Sequence, residues 1–282
     1  KLSDSGYRMF KSKKYELYFI IKCLLFRKIF SNQMIYTRRF RRVLYKLGIL
    51  YLIENIYNRL KDPNFKIYKN RFDSFTLNST NNTSELCILG GKCGTDKSPL
   101  NKIGHRKSFT PIYDIIFQKF KNKEIKLAEI GIARSKSIKM WRSYFKKALI
   151  YGFDFHEKFI SDGKKLKLPG TFYDYINIRS SKSIRSSFKK TNVKFDIIIE
   201  DSTHDENDQI RLILNAHMYL KKGGIFVLED IESYDDNVEF KFYHHLKSLK
   251  NEFCKIYFIE CQNDNNFSPF WKKDKILIME KY

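Results

Sequence analysis

Acidic side chains stand at the ends of four apolar stretches that read as β-strands. They are Glu129, Asp154, the pair Glu200 and Asp201, and the pair Glu229 and Asp230. Buried carboxylates are costly unless they are paired or bound to a cation, so this set favours a binding site over a structural core. Ligands of open α/β sheets bind beyond the carboxyl ends of the strands. We therefore expect the four groups to meet at one edge of a sheet.

Two of these strand ends carry residues suited to a divalent cation. Asp201, Glu229 and Asp230 offer hard oxygen ligands from neighbouring strands, which suits Mg²⁺ or Mn²⁺. His204 follows Asp201 by three residues, and a histidine there is a candidate general base near neutral pH. The structural alternative is that His204 caps a helix beginning near Asp205.

The other two strand ends suit a nucleoside. The small residues of the turn from Gly131 to Ser135 let a ligand approach the backbone closely. Asp154, at the end of the next strand, is placed to accept hydrogen bonds from a ribose diol. Dinucleotide enzymes share this pair of features, but the chain has no Gly-x-Gly-x-x-Gly motif and no Gly-Lys-Ser/Thr phosphate loop. Both absences count against nicotinamide, flavin and nucleoside triphosphate ligands.

The elements that would position these residues alternate between strand and helix from residue 110 onward. Strands are predicted at 127–132, 149–155, 171–176, 195–201, 224–230, 255–261 and 275–280, and helices at 137–145, 177–187 and 207–220. Such alternation predicts an α/β fold with a doubly wound, mostly parallel sheet of about seven strands. The strands are apolar along their length, so both faces of the sheet should be covered.

The first part of the chain differs in composition from the rest. Residues 1–75 contain 18 basic and 5 acidic side chains, in a chain whose formal net charge is +23. Apolar residues at helical spacing, edged by arginine, predict a basic helical extension over 1–75 that docks on the catalytic domain or on an anionic membrane surface. The charge itself fits a solvated lysine-rich face, membrane lipid or nucleic acid. Residues 76–110 are rich in Asn, Ser, Thr and Gly, and are expected to form a loop or lid.

Two further features bear on the compartment. The five cysteines form no Cys-x-x-Cys pair, which favours a reducing compartment over a disulfide framework or a zinc site. The longest apolar run, residues 18–26, is interrupted by Lys22 and is too short to span a bilayer. We expect a cytoplasmic protein, with peripheral membrane attachment through residues 1–75 as an open alternative.

The order and spacing of several motifs resemble a known enzyme family. The motifs are Glu200-Asp201-Ser-Thr-His204, Gly223-Gly224-Ile-Phe-Val-Leu-Glu229-Asp230, Glu129-Ile-Gly131, Met140-Trp141-Arg142, Gly152-Phe-Asp154, Gly94-Thr95-Asp96-Lys97-Ser98, and Phe109-Thr110-Pro-Ile-Tyr113. Together they resemble the metal-dependent sugar O-methyltransferases of macrolide biosynthesis and their bacterial relatives, which are class I S-adenosylmethionine-dependent enzymes. The resemblance covers roughly residues 88–280 and implies a methyltransferase domain over 76–282.

The resemblance implies a role for individual residues. S-adenosylmethionine would be held by Glu129, Gly131, Asp154 and Thr95, the metal by Asp201, Glu229 and Asp230, and His204 would be the base. Two departures from the family pattern stand out: Ser135 replaces a glycine of the first turn, and Tyr175-Ile176-Asn177 replaces an Asp-Gln pair after the third strand.

The resemblance therefore predicts an O-methyltransferase that uses S-adenosylmethionine and Mg²⁺ or Mn²⁺ and methylates a hydroxyl of a sugar or glycan. Two alternatives stay open. An RNA methyltransferase would explain the net charge, but the basic cluster lies outside the catalytic part, which counts against a nucleic-acid partner. The other is a non-catalytic module of a polysaccharide-assembly complex. The sequence also leaves open whether several copies assemble.

Overall fold

The computed structural model describes residues 71–233, 236–268 and 273–282. Their apolar stretches form an eight-stranded sheet. The strands are β1 (Asp73–Asn78), β2 (Lys126–Ile130), β3 (Leu149–Asp154), β4 (Thr171–Tyr175), β5 (Phe195–Glu200), β6 (Leu220–Ile231), β7 (Phe253–Gln262) and β8 (Lys275–Lys281). The helices are α1 (Glu85–Cys93), α2 (Phe109–Phe117), α3 (Lys136–Tyr144), α4 (Glu157–Lys165), α5 (Ser181–Thr191), α6 (Glu206–Ala216) and α7 (Asp236–Leu246).

The strand order places the ends of β2, β5 and β6 side by side. The order across the sheet is β1-β7-β8-β6-β5-β2-β3-β4, and all neighbours are parallel except where β8 pairs with β6 and β7. From β2 the chain proceeds outward through β3 and β4, then returns to place β5 on the other side of β2. This reversal between β2 and β5 is a topological switch point, where open α/β sheets bind their ligands.

Helices cover both faces of the sheet. One apolar cluster joins the strands to residues of α5, α6 and α7, such as Phe188 and Phe242. The other joins them to α1, α2, α3 and α4, with Trp141 at its centre. Along β5, Ile198 belongs to the first cluster, and Ile197 and Ile199 belong to the second. A strand buried on both faces must be apolar at every position, which explains the continuous runs in the sequence.

The predicted fold class is confirmed, with one strand more than the seven expected. The added strand, β1, is an edge strand whose six residues are all exposed, so it lacks the apolar signature of the inner strands. It pairs in parallel with β7. The segment expected to be loop also contains helix α1, which Ser84 caps at its start and Gly94 ends with a φ of 72°.

Helix α1 was missed because Gly90 and Gly91 resemble loop residues. In the structure Gly90 lies against the segment that follows the helix: a Cβ at this position would come within 2.7 Å of the Ser98 Cβ. The glycine is there for close packing, which a local sequence signal does not distinguish from a turn. The basic extension lies, up to residue 70, outside the described residues. No helix in the described ranges has the length and hydropathy needed to cross a bilayer.

Candidate active site

Asp201, His204 and Asp230 form a close group at the switch point. One potential ligand atom from each lies within 4.8 Å of the others. Asp201 directly follows β5, and its backbone amide donates to the carbonyl of Ile130 at the end of β2 (2.8 Å). Asp230 lies near the end of β6, where the pairing with β8 shifts register between Leu228 and Ile231. Such an irregularity re-aims the side chains around it.

Unusual backbone geometry accompanies this group. His204 and Asp230 have φ values of 53° and 59°, and Ala133 and Ser135 in the turn after β2 have values of 39° and 55°. Residues other than glycine adopt this left-handed backbone conformation at a cost of about 1–2 kcal/mol each. Such strained residues cluster at functional sites. Ser135 therefore occupies the backbone conformation that a glycine would favour, at the position where the family pattern has glycine.

The imidazole of His204 faces Asp230, with His204 Nδ1 3.5 Å from Asp230 Oδ2. Its backbone carbonyl accepts a hydrogen bond from the Lys273 ammonium (2.9 Å). The structural alternative for His204 is wrong, because Asp205 is the N-cap of α6 and its carboxylate accepts from the amides of Asn207 and Asp208. The His204 side chain is therefore not the cap of this helix.

Glu229 lies beside this group but is held by other partners. Its Oε1 accepts from the Tyr113 hydroxyl (2.8 Å) and its Oε2 from the Lys97 ammonium (2.6 Å). Burial raises the pKa of Glu229 well above its usual value, and the nearby Asp201 and Asp230 act in the same direction, whereas Lys97 opposes them. The structure thus brings Asp201, Asp230 and His204 together and places Glu229 next to them, hydrogen-bonded to Tyr113 and Lys97.

Two buried lysines pair with carboxylates of the acidic edge. The sequence alone assigned neither of them a role. Lys97 is 1% exposed and contacts Asp201, Glu229 and, at 3.4 Å, Glu129. Burial disfavours its charge, but the surrounding carboxylates outweigh burial and hold the pKa of Lys97 well above its usual value. Lys107 is 3% exposed and pairs with Asp230. Lys97 stands in the quoted Gly94–Ser98 motif, but nothing in the local pattern shows which strand end it reaches.

Glu129 is fully buried beneath the first turn. Its Oε2 accepts from the Ser137 hydroxyl of α3 (2.9 Å). Burial raises the pKa of Glu129 to about 7, an effect that the Lys97 ammonium partly offsets. Because the pKa of Glu129 is raised in this way, a cationic group of a ligand that binds beside it would stabilise the ionised form of the carboxylate.

The first turn after β2 leaves no space for a side chain at Gly131. Its φ is 91°, and a Cβ there would lie 1.9 Å from the carbonyl oxygen of Asp201. Asp154, at the end of β3, braces the same turn, since its Oδ2 accepts from the amides of Ile132 (3.0 Å) and Ala133 (3.1 Å). Thr95 is buried after α1, where its amide donates to the carbonyl of Gly90 (3.1 Å).

The order and direction of the strands identify the class of the fold. A parallel sheet with the antiparallel β8 inserted between β6 and β7 is the arrangement of class I S-adenosylmethionine-dependent methyltransferases. The fold resembles the crystal structure of MycE methyltransferase from the mycinamycin biosynthetic pathway, in complex with Mg and SAH. The TM-score is 0.54 at 19% identity, over 71% of this chain and 55% of that one.

Sequence comparison finds similarity to members of the family that the motifs resemble. The chain is 27% identical over 161 residues to demethylmacrocin O-methyltransferase of Streptomyces fradiae, covering 51% of this chain and 39% of the relative. It is 29% identical over 167 residues to mycinamicin VI 2''-O-methyltransferase of Micromonospora griseorubida, covering 51% and 38%. The matched region thus spans about two fifths of each curated relative. No family model matches. The resemblance to macrolide-sugar O-methyltransferases is confirmed.

Proposed function

We propose that this chain is an S-adenosylmethionine-dependent, Mg²⁺-dependent O-methyltransferase that acts on a hydroxyl group of a sugar or glycan. The observation that carries the proposal is the convergence of Asp201, His204 and Asp230 within 4.8 Å, at the sheet edge that also holds Glu129 and Asp154. The similarity to O-methyltransferases of glycosylated macrolides supports the sugar as acceptor class. The cysteine pattern supports a cytoplasmic site of action.

The donor set fits a hard divalent cation. The carboxylates of Asp201 and Asp230 belong to a group whose potential ligand atoms lie within 4.8 Å of one another, and they offer the oxygen ligands that Mg²⁺ and Mn²⁺ prefer. Glu229 completes the oxygen set in this proposal: Tyr113 and Lys97 each use one lone pair of its carboxyl group, and the ionised form that a bound cation would favour has about four acceptor sites. Asp201, Glu229 and Asp230 would hold the cation.

The cofactor side of the edge fits S-adenosylmethionine. Gly131 lets the first turn lie against the backbone of Asp201. Asp154 Oδ1 accepts from the amide of His156 (2.8 Å) and keeps a lone pair for a ribose hydroxyl. Glu129 is a buried carboxylate with a pKa of about 7, which suits the amino group of the methionine portion. Thr95 lies on the segment that would cover the cofactor.

S-adenosylmethionine would supply an activated methyl group for in-line transfer to the acceptor oxygen, and its sulfur would keep the electron pair of the carbon–sulfur bond that breaks. A divalent cation held by Asp201, Glu229 and Asp230 would make the acceptor hydroxyl more acidic and stabilise the charge on its oxygen. His204, whose Nδ1 lies 3.5 Å from Asp230 Oδ2, takes the hydroxyl proton on a ring nitrogen. The protein otherwise contributes by holding both reactants in line.

Cofactor affinity is expected to increase with pH through the range in which Glu129 ionises. With a pKa of about 7, Glu129 is mostly protonated at pH 6 and must lose its proton when it pairs with the cofactor's ammonium. The linkage predicts that S-adenosylhomocysteine binds about tenfold more tightly at pH 8 than at pH 6. Calorimetry at the two pH values measures this change. Glu129→Gln should remove the dependence, and a flat profile in the unmodified protein would show that Glu129 does not contact the ammonium.

Replacing Asp154 with alanine is expected to weaken binding of S-adenosylhomocysteine by about 1–3 kcal/mol, since ribose hydroxyls and turn amides would lose their acceptor. Calorimetry on the folded variant measures the loss. Asp174→Ala is a suitable control, because Asp174 is partly exposed on β4 and pairs with Lys190 outside the site. Unchanged affinity in Asp154→Ala would remove Asp154 from the cofactor site.

The proposed activity is tested by incubating the protein with labelled S-adenosylmethionine and sugar acceptors, with and without Mg²⁺. The RNA alternative is an outcome of the same experiment when RNA is included as an acceptor. Binding to RNA that weakens steeply with salt, together with label in RNA alone, would favour that alternative. Failure of the protein to bind S-adenosylhomocysteine would favour a non-catalytic module.

A further inference from the structure

Lys97 and Lys107 each bind one oxygen of an aspartate in the candidate metal group. Lys97 donates to Asp201 Oδ2, and Lys107 donates to Asp230 Oδ1. The second oxygen of Asp230, Oδ2, is the one that faces His204 Nδ1 at 3.5 Å. Each ammonium group therefore occupies one oxygen of its aspartate, and for Asp230 the other oxygen is the one that faces His204 within the candidate metal group.

Both lysines come from the segment that joins α1 to α2, and backbone hydrogen bonds hold this segment in place. The Lys107 amide donates to the carbonyl of Asp96 (2.7 Å), and the amides of Phe109 and Thr110 donate to the carbonyl of Lys97 (3.1 and 3.0 Å). The two lysines thus lie where the segment closes on itself. Their positions are set by the fold, so little side-chain freedom remains to be lost when a ligand binds.

We propose that Lys97 and Lys107 are positioning residues of the metal centre: each holds the outer oxygen of one aspartate so that its inner oxygen faces the cation. This inference rests on the proposed metal-dependent function. Hydrogen-bond partners that fix a ligating group contribute strongly to metal affinity, and losing one typically costs about 10- to 100-fold. Lys97 also holds Glu229 in place, and thereby orders a third oxygen ligand.

Electrostatic repulsion between the lysines and the cation would have the opposite effect on metal affinity. An ammonium beside a divalent cation repels it, and the repulsion is large at short distance in a medium of low dielectric constant. If repulsion dominated, removing a lysine would tighten metal binding. We expect positioning to dominate, because each ammonium contacts an aspartate oxygen directly and backbone hydrogen bonds fix the segment that carries both lysines.

The test measures the binding of Mn²⁺ to the full chain. The electron paramagnetic resonance signal of the unbound ion gives the free Mn²⁺ concentration, so no turnover is required. Lys107→Met and Lys97→Met should each raise the Mn²⁺ dissociation constant about 10- to 100-fold. Lys107→Arg, which keeps a cationic donor, should restore most of the affinity. Lys165→Met is the matched control, since Lys165 is exposed and pairs with Asp162 on the surface. The Mn²⁺ affinity of this variant should be unchanged.

Circular dichroism establishes which variants fold. Lys107 pairs with one carboxylate, whereas Lys97 contacts three, so Lys107→Met is the milder change and decides the question if Lys97→Met unfolds. Unchanged or tighter Mn²⁺ binding in a folded variant would overturn the positioning role and leave the proposed function standing. No Mn²⁺ binding by the unmodified chain would overturn both.

Discussion

Replacing His204 with alanine is expected to lower kcat by about 10²- to 10⁴-fold, the usual contribution of a positioned proton acceptor. The imidazole faces Asp230 at 3.5 Å at the edge where the cofactor and the cation are proposed to bind. The affinities for S-adenosylhomocysteine and Mn²⁺ should hardly change, because the proposal gives His204 neither role. Single-turnover kinetics and equilibrium binding on the same variant measure the three quantities.

Two controls separate this prediction from structural explanations. His244→Ala removes an exposed histidine of α7 and should leave kcat unchanged. Asp205→Ala removes the N-cap of α6 and should cost about 0.5–2 kcal/mol of stability, while His204→Ala leaves the melting temperature nearly unchanged. A large loss of Mn²⁺ affinity in His204→Ala would identify His204 as a ligand, and a normal kcat would remove it from the mechanism.

Removing divalent metal is expected to abolish turnover, and adding Mg²⁺ or Mn²⁺ is expected to restore it. The physical reason is that a sugar hydroxyl is a weak acid whose developing charge needs a cation, and we propose that Asp201 and Asp230 hold that cation. Asp201→Asn and Asp230→Asn should raise the metal concentration needed for half-maximal rate, whereas the surface variant Asp162→Asn should not. Full activity in a preparation freed of metal by EDTA and dialysis would contradict the proposal.

The sequence predicted the composition of the acidic edge because parallel strands carry their carboxyl ends to the same side of a sheet. Asp201 and His204 follow β5 directly, and Asp230 lies near the end of β6, so identifying the strands was enough to bring these residues together. The apolar runs of β5 and β6 are unambiguous, since both faces of these strands are buried.

The partners of the acidic edge could not be predicted in the same way. Lys97 lies 132 residues from Glu229, and Tyr113 lies 116 residues from it, so no periodicity or local spacing connects them. The sequence predicted a loop or lid over residues 76–110, and a lysine in such a segment is normally solvated. Only the tertiary structure shows that Lys97 is buried among three carboxylates.

Edge strand β1 shows a second limit of sequence reasoning. Its six residues are all exposed, and the pairing with β7 replaces the core contacts that make an inner strand recognisable. Strand propensity depends on the neighbouring strand as much as on the residues themselves. A segment of this kind reads as loop until its partner is known.

The central claim is that the chain transfers a methyl group from S-adenosylmethionine to a sugar hydroxyl with the help of a divalent cation. The most direct test is label transfer from methyl-labelled S-adenosylmethionine to a panel of nucleotide sugars and glycans, with RNA as a further acceptor, in Mg²⁺ and in EDTA. We predict label in an alkali-stable methyl ether on a sugar, in Mg²⁺ alone. Transfer to RNA and to no sugar, or sugar methylation at the same rate in EDTA, would contradict the claim.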